Sequence, residues 1–263
     1  MNAGRAEMLA ITDLTVRFEG LTAVRDASLS IAEGDIYGLI GPNGAGKSTL
    51  FNAVSGIVAT SGGRIRFAGA DISHEPPHRR SAGGIRRTFQ SVQLINQLTV
   101  LENVLIGLHP KITLRPMDFL RLWGRNRTEA EARLRVREVL DLVGFRGRLD
   151  QEVRSLSFAD QRLVEMARAL VTAPKLLLLD EPAAGLSPPE AERFVRLVRR
   201  LRDERNLTVL LVEHVISLVM GLCDRISVLD NGVIIAAGDP QTIAADPKVR
   251  AAYLGEDAHA RGH

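Results

Sequence analysis

The stretch IYGLIGPNGAGKSTLFNAVSGI (36–57) limits the fold of this chain more than any other. IYGLI is apolar at nearly every position, as expected of a parallel strand buried on both faces. It runs straight into GPNGAGKS (41–48), which satisfies G-x-x-x-x-G-K-[ST], and then into helix-forming sequence. Glycines let such a turn wrap around an anion, so that successive N–H groups and a helix N-terminus point at it. The turn therefore demands a parallel sheet with a covering helix, and its natural ligand is a nucleotide phosphate. Gly41, Pro42, Asn43, Gly44, Ala45, Gly46, Lys47, Ser48 and Thr49 are the expected binding residues. Lys47 would reach the β- and γ-phosphates, which also makes it a candidate catalytic residue, and the Ser48 hydroxyl would ligate Mg2+.

LLLLDEP (176–182) supplies the chemistry that the loop lacks. Four aliphatic residues form a buried strand, and Asp180 at its carboxyl end can hold Mg2+. Glu181 is placed to orient or deprotonate an attacking water. Alone, this pattern would read as a strand followed by an acidic helix start; beside a phosphate loop it reads as hydrolytic. Three single residues are weaker signals. Gln90 ends IRRTFQ, where it is either a surface residue or a contact to Mg2+ and the water. His214 follows LTVLLVE and is either structural or aimed at the γ-phosphate. Phe18 is either a core aromatic or a platform for adenine.

Around these motifs the periodicity changes twice. ITDLTVRF (11–18), ASLSI (27–31) and GGRIRFAG (62–69) read as strands. Residues 91–172 read as helical. TVLENVLIGL is the first helix, and TEAEARLRVREVLDLVG is the second, opened by the capping box Thr128-x-x-Glu131. SLSFADQRLVEMARAL (155–170) is the third. In it Ser157 is the N-cap, Asp160 pairs with it, and Leu163, Ala167, Leu170 and Val171 form the apolar stripe. Strand character then returns, with Ser187, Pro188 and Glu190 as N-cap, N1 and N3 of another helix and an Asn-Gly hairpin in RISVLDNGVIIAAG. The expected fold is α/β, a P-loop NTPase core with an antiparallel β subdomain and an inserted helical subdomain. We expect one domain over 8–255, with 8–90 and 173–255 forming the core, 91–172 the helical subdomain and 256–263 a flexible tail.

Composition narrows the partners. Lys and Arg number 34 against 31 Asp and Glu, and a net charge of +3 does not call for nucleic acid. The pairs Arg79–Arg80, Arg86–Arg87 and Arg199–Arg200 read as solvated faces, with contact to an anionic membrane surface as the weaker alternative. The single cysteine, Cys223, rules out an internal disulfide and reads as a small core residue. No aliphatic run approaches the ~20 residues that cross a bilayer, and the first residues lack a secretory pattern. The expected location is cytosolic, with another chain supplying any membrane crossing. Trp123, in FLRLWGR, reads either as core or as part of a partner-facing helix.

Taken in order, these motifs resemble the ATP-binding subunit of an ABC transporter over essentially the whole chain. The family's usual LSGGQ stands here as Leu156-Ser157-Phe158-Ala159-Asp160, followed by Gln161-Arg162. The resemblance implies that two subunits, identical or sister chains, pack head to tail. Ser157, Ala159 and Asp160 of one would then meet the γ-phosphate held by the other's loop, with ATP and Mg2+ as cofactors. It also implies docking on integral membrane permeases at the cytoplasmic face of a bacterial inner membrane, with a periplasmic binding protein as an indirect partner. DEPAAGLSP, VEHVISLVMGLCDRISVLDNG and DPKVRAAYLGE are similar to the branched-chain amino-acid importers. Urea or amide importers, lipopolysaccharide exporters and soluble ABC-type ATPases are the alternatives. Two residues depart from the family pattern: Ala159 replaces glycine, and Ser187 replaces aspartate in the loop after Glu181. Ala159 keeps its N–H, so it serves as well as glycine wherever φ is negative.

Overall fold

The computed structural model describes residues 5–88, 91–108 and 126–260, except for the side chains of 126–129 and 254–260. A six-stranded sheet runs in the order β10 (Val233–Gly238), β9 (Arg225–Asp230), β3 (Ile36–Ile40), β8 (Thr208–Val212), β7 (Leu176–Asp180), β6 (Ile85–Arg87). All neighbours are parallel except the β9–β10 hairpin. The turn of that hairpin places Asn231 at φ 45° and Gly232 at φ 80°, as an Asn-Gly turn requires. A four-stranded antiparallel sheet is formed by β2 (Leu21–Ala32), β1 (Glu7–Phe18), β4 (Gly62–Phe67) and β5 (Ala70–Asp71). β1 and β2 are longer than the sequence suggested, because they pair with each other along their whole lengths, from Glu7 opposite Ala32 to Phe18 opposite Leu21.

The central strands are almost entirely apolar because each has two buried faces. Tyr37, Leu39, Leu176, Leu178, Leu210 and Val212 pack with the antiparallel sheet and with Leu50, Phe51 and Val54 of α1 (Lys47–Ser55). Ile36, Ile40, Leu177, Leu179, Val209 and Leu211 face the helices on the opposite side. Strand alternation thus divides one set of residues between two cores.

Between β6 and β7 in the chain lie α3 (Val100–Ile106), α4 (Asn126–Val143), a 3-10 turn (Val153–Ser155) and α5 (Phe158–Leu170). α2 (Pro77–Gly83) precedes β6, and α6 (Pro188–Arg205), α7 (Ile216–Leu222), α8 (Pro240–Ala245) and α9 (Pro247–Ala260) complete the chain. Thr99 and Glu102 form a full capping box on α3, and Ser187 and Glu190 form another on α6. Thr128 does not begin α4, which starts at Asn126; Arg127 before the threonine and Glu129 and Ala130 after it are good helix formers. The expected tail begins inside α9, where the alanine-rich sequence extends the helix to Ala260.

Candidate nucleotide site

The topology brings four strand ends to one edge. β3, β8, β7 and β6 are consecutive parallel neighbours, so the residues that follow them share the carboxyl edge where open α/β sheets bind ligands. The phosphate loop follows β3, Glu213 and His214 follow β8, Asp180 and Glu181 close β7, and Arg87 ends β6.

The loop is held by close approaches that only glycine permits. A Cβ on Gly41, at φ 150°, would lie 1.9 Å from the Leu229 carbonyl oxygen, and one on Gly46 would lie 2.4 Å from that of Ala23. The Gly232 N–H donates to the Ala45 carbonyl at 2.9 Å and pins the loop to the β9–β10 turn. Gly46 is the N-cap of α1 and brings no side-chain acceptor, so the dipole end of the helix faces outward uncapped. Lys47 is buried, with Nζ donating to the Gly41 and Pro42 carbonyls at 2.6 and 2.7 Å. Asn43, Gly44 and Ser48 are exposed on the loop's outer side and Thr49 is half-buried.

Glu181 and His214, expected from separate motifs, come together: His214 Nε2 lies 3.1 Å from Glu181 Oε2. Glu181 sits at φ 46°, a region costing a non-glycine residue about 1 kcal/mol or more. Its N–H donates to the Val212 carbonyl at 2.9 Å, which ties the end of β7 to β8. Glu213 helps hold this turn and was not anticipated. Its carboxylate is 1% exposed and accepts the Ala183 N–H at 2.8 Å and the His214 N–H at 3.2 Å. The available signal was an acid closing an otherwise apolar strand, since such an acid needs donors nearby.

The arginine pairs correct the expectation of solvated faces. Arg80 is 3% exposed and donates to the carbonyls of Ala53, Val54, Ser73 and Glu75. Arg86 is half-buried and donates to Thr172 and Ser81. Arg87 reaches Asp180 at 2.7 Å. These guanidiniums turn inward because oxygen atoms from other segments accept from them: backbone carbonyls around Arg80, hydroxyls beside Arg86 and the Asp180 carboxylate beside Arg87. Arg79, Arg199 and Arg200 are exposed as expected. Cys223 is a core residue, and burial pushes its thiol well above the usual range.

Ser157, Ala159 and Asp160 are not among the strand-end residues; they form the start of α5. The Ser157 hydroxyl accepts the Asp160 N–H at 3.1 Å and donates to Asp160 Oδ2 at 2.8 Å, leaving the residue exposed. Ala159 is absent from the positive-φ residues, so its methyl introduces no backbone strain. The exposed Phe158 ring lies over the loop after Glu181; a Cβ on Gly185 would come within 3.2 Å of it. Deeper in α5, Glu165 is 2% exposed and accepts the Gln93 N–H at 3.1 Å, connecting this helix to the segment that follows β6. Ser187, the other departure, donates its hydroxyl to Glu190 at 2.5 Å and serves as a helix cap. Phe18 ends β1 and is 44% exposed, accessible for stacking. Gln90 and Trp123 lie outside the described residues.

Residues 24–184 match the ABC transporter family, and residues 233–259 match the branched-chain amino acid ATP-binding cassette transporter family. The chain is 40% identical over 250 residues to the high-affinity branched-chain amino acid transport ATP-binding protein LivG of Salmonella typhimurium, covering 95% of this chain and 98% of that one. It superposes on the ADP conformation of MJ1267, an ATP-binding cassette of an ABC transporter, with TM-score 0.83 and 34% identity over 95% of this chain and 99% of that one. It also superposes on the dimeric post-hydrolysis state of the cassette MJ0796 bound to ADP and Pi, with TM-score 0.74 and 25% identity over 89% and 99%. Likeness of this extent, carried by a loop and an acidic strand end on one sheet edge, makes this chain a member of the ABC transporter family, an ATP-binding and ATP-hydrolysing subunit.

Proposed function

We propose that this ATPase powers a branched-chain amino acid importer, docked on separate membrane permeases, and that it works as a dimer of head-to-tail cassettes. The relatives' described role supports the substrate class, and the dimeric cassette among the solved structures supports the assembly. Among the described residues, no helix is long and apolar enough to cross a membrane. The single observation that carries the catalytic reading is the approach of His214 to Glu181, 3.1 Å apart at the ends of adjacent strands beside the phosphate loop.

In this reading the loop N–H groups and Lys47 bind the β- and γ-phosphates, and Phe18 stacks on adenine. Glu181 accepts a proton from the attacking water, and His214 fixes the carboxylate while facing the γ-phosphate. Ser157, Ala159 and Asp160 meet the phosphate bound by the second subunit. The oxygen donors Ser48 and Asp180, with Gln90, suit Mg2+, a hard cation that takes few protein ligands and completes its shell with phosphate and water. When bound, Mg2+ would neutralise charge on the phosphates.

Glu181→Gln tests the assignment. The amide keeps size and hydrogen bonding but cannot take the proton, so kcat should fall by about 10²–10⁴ while ATP binding persists. The variant should then accumulate as an ATP-dependent dimer in size-exclusion light scattering. Near-normal turnover would remove Glu181 from this role.

A further inference from the structure

Arg87 is a cation of the strand-end cluster to which hydrolysis assigns no task. It pairs in register with Leu178 on the neighbouring strand β7, and from there its side chain reaches the end of that strand. Nη2 donates to Asp180 Oδ2 at 2.7 Å, and each side chain of the pair is only 12% exposed. Nη1 donates to Asn52 Oδ1 at 2.6 Å and to Ser55 Oγ at 3.2 Å, and the guanidinium lies 4.8 Å from the centroid of the Phe51 ring. Phe51, Asn52 and Ser55 all belong to α1, the helix whose first residues are Lys47 and Ser48. One cation therefore ties the phosphate-loop helix to the carboxylate that closes β7.

We propose that Arg87 is a built-in counter-ion of Asp180 that a divalent metal must outweigh, so that the metal is accepted with nucleotide phosphates and rejected alone. The proposal rests on reading Asp180 as a metal ligand. At such low exposure the guanidinium is poorly screened, and a second cation on the same carboxylate meets strong repulsion. Polyphosphate brings enough negative charge to balance both cations. The phosphates thereby become a condition for metal entry. An arginine suits this task because its fork can hold Asp180 and Asn52 at once and it never loses its charge.

The test uses Mn2+, a stand-in for Mg2+ at oxygen donors, titrated into the full-length chain and read by electron paramagnetic resonance. Without nucleotide, Arg87→Met should bind Mn2+ about 10-fold or more tighter than the wild type, since removing a close like charge is worth at least one decade. Adding ADP should shrink the difference to about three-fold or less, because the phosphates offset the guanidinium. Arg87→Lys keeps the charge and should stay near the wild type; Arg87→Gln removes it with less loss of packing and should follow Arg87→Met if the latter is unstable. Mn2+ binding that is unchanged or weaker in both neutral variants would overturn the proposal and make Arg87 a mere positioner of the carboxylate. Asp180→Asn in the Arg87→Met background should abolish the gain. A tight site surviving that second substitution would instead overturn Asp180 as the ligand.

Discussion

The phosphate loop at Gly41–Ser48 and the start of α5 at Ser157–Asp160 both present a helix N-terminus suited to phosphate, yet the chain builds them by different means. The first is set among buried strand ends. Gly41 and Gly46 touch backbone so closely that no side chain fits, and the N-cap offers no acceptor of its own. The second is exposed, begins in the helical part of the chain, and is capped by Ser157 accepting from Asp160. A helix start left uncapped inside a rigid cradle is prepared for a ligand held by its own chain. One that is self-capped and faces outward is stable without a ligand and suits a surface brought by another chain.

This contrast predicts unequal tolerance. Gly41→Ala should be the more damaging change, because its Cβ would fall 1.9 Å from the Leu229 carbonyl at a φ that disfavours alanine. We expect a loss of about 3 kcal/mol or more, in the range of the larger backbone and overpacking effects, together with loss of ATP binding. Thermal unfolding and nucleotide titration both read this out, and a stable, ATP-binding variant would break the comparison. Ser157→Ala should remove one cap, worth about 1 kcal/mol, or roughly 2–4 °C in Tm for a chain of this size. The isolated subunit's ATP affinity should not change. A large affinity loss would mean that α5 serves its own chain's nucleotide.

Where neighbours in sequence decide an element, the sequence was readable. IYGLI and LLLLD announce strands with two buried faces, and the structure sends Tyr37 and Leu39 to one core and Ile36 and Ile40 to the other. The caps at Ser157 and Ser187 formed where their spacing indicated. Polar burial was not readable, because it depends on partners far along the chain. Arg80 meets the carbonyls of Ala53 and Val54, Arg87 meets Asp180, and Glu213 meets the Ala183 N–H. Seen without those partners, an arginine pair looks like a solvated face and a strand-ending glutamate looks like an exposed one. The approach of His214 to Glu181 was suggested only by two strands ending in chemistry-bearing residues. Their adjacency follows from the sheet order.

The central claim is that α5 acts on the other subunit's nucleotide, and one mixing measurement tests it. Ser157→Arg places a long side chain where the facing γ-phosphate would sit, and Lys47→Ala removes the charge on the phosphates in its own loop. Each variant alone carries one lesion in both composite sites of a two-fold dimer and should hydrolyse little ATP. Mixed at equal concentration, half of the dimers gather both lesions into one site and leave the other whole, so the ATPase rate should rise to roughly a quarter of the wild type for a symmetric dimer with independent sites. A rate no higher than the sum of the two variants assayed separately, with Ser157→Arg also unable to bind ATP as a monomer, would contradict the account and return the motif to its own chain.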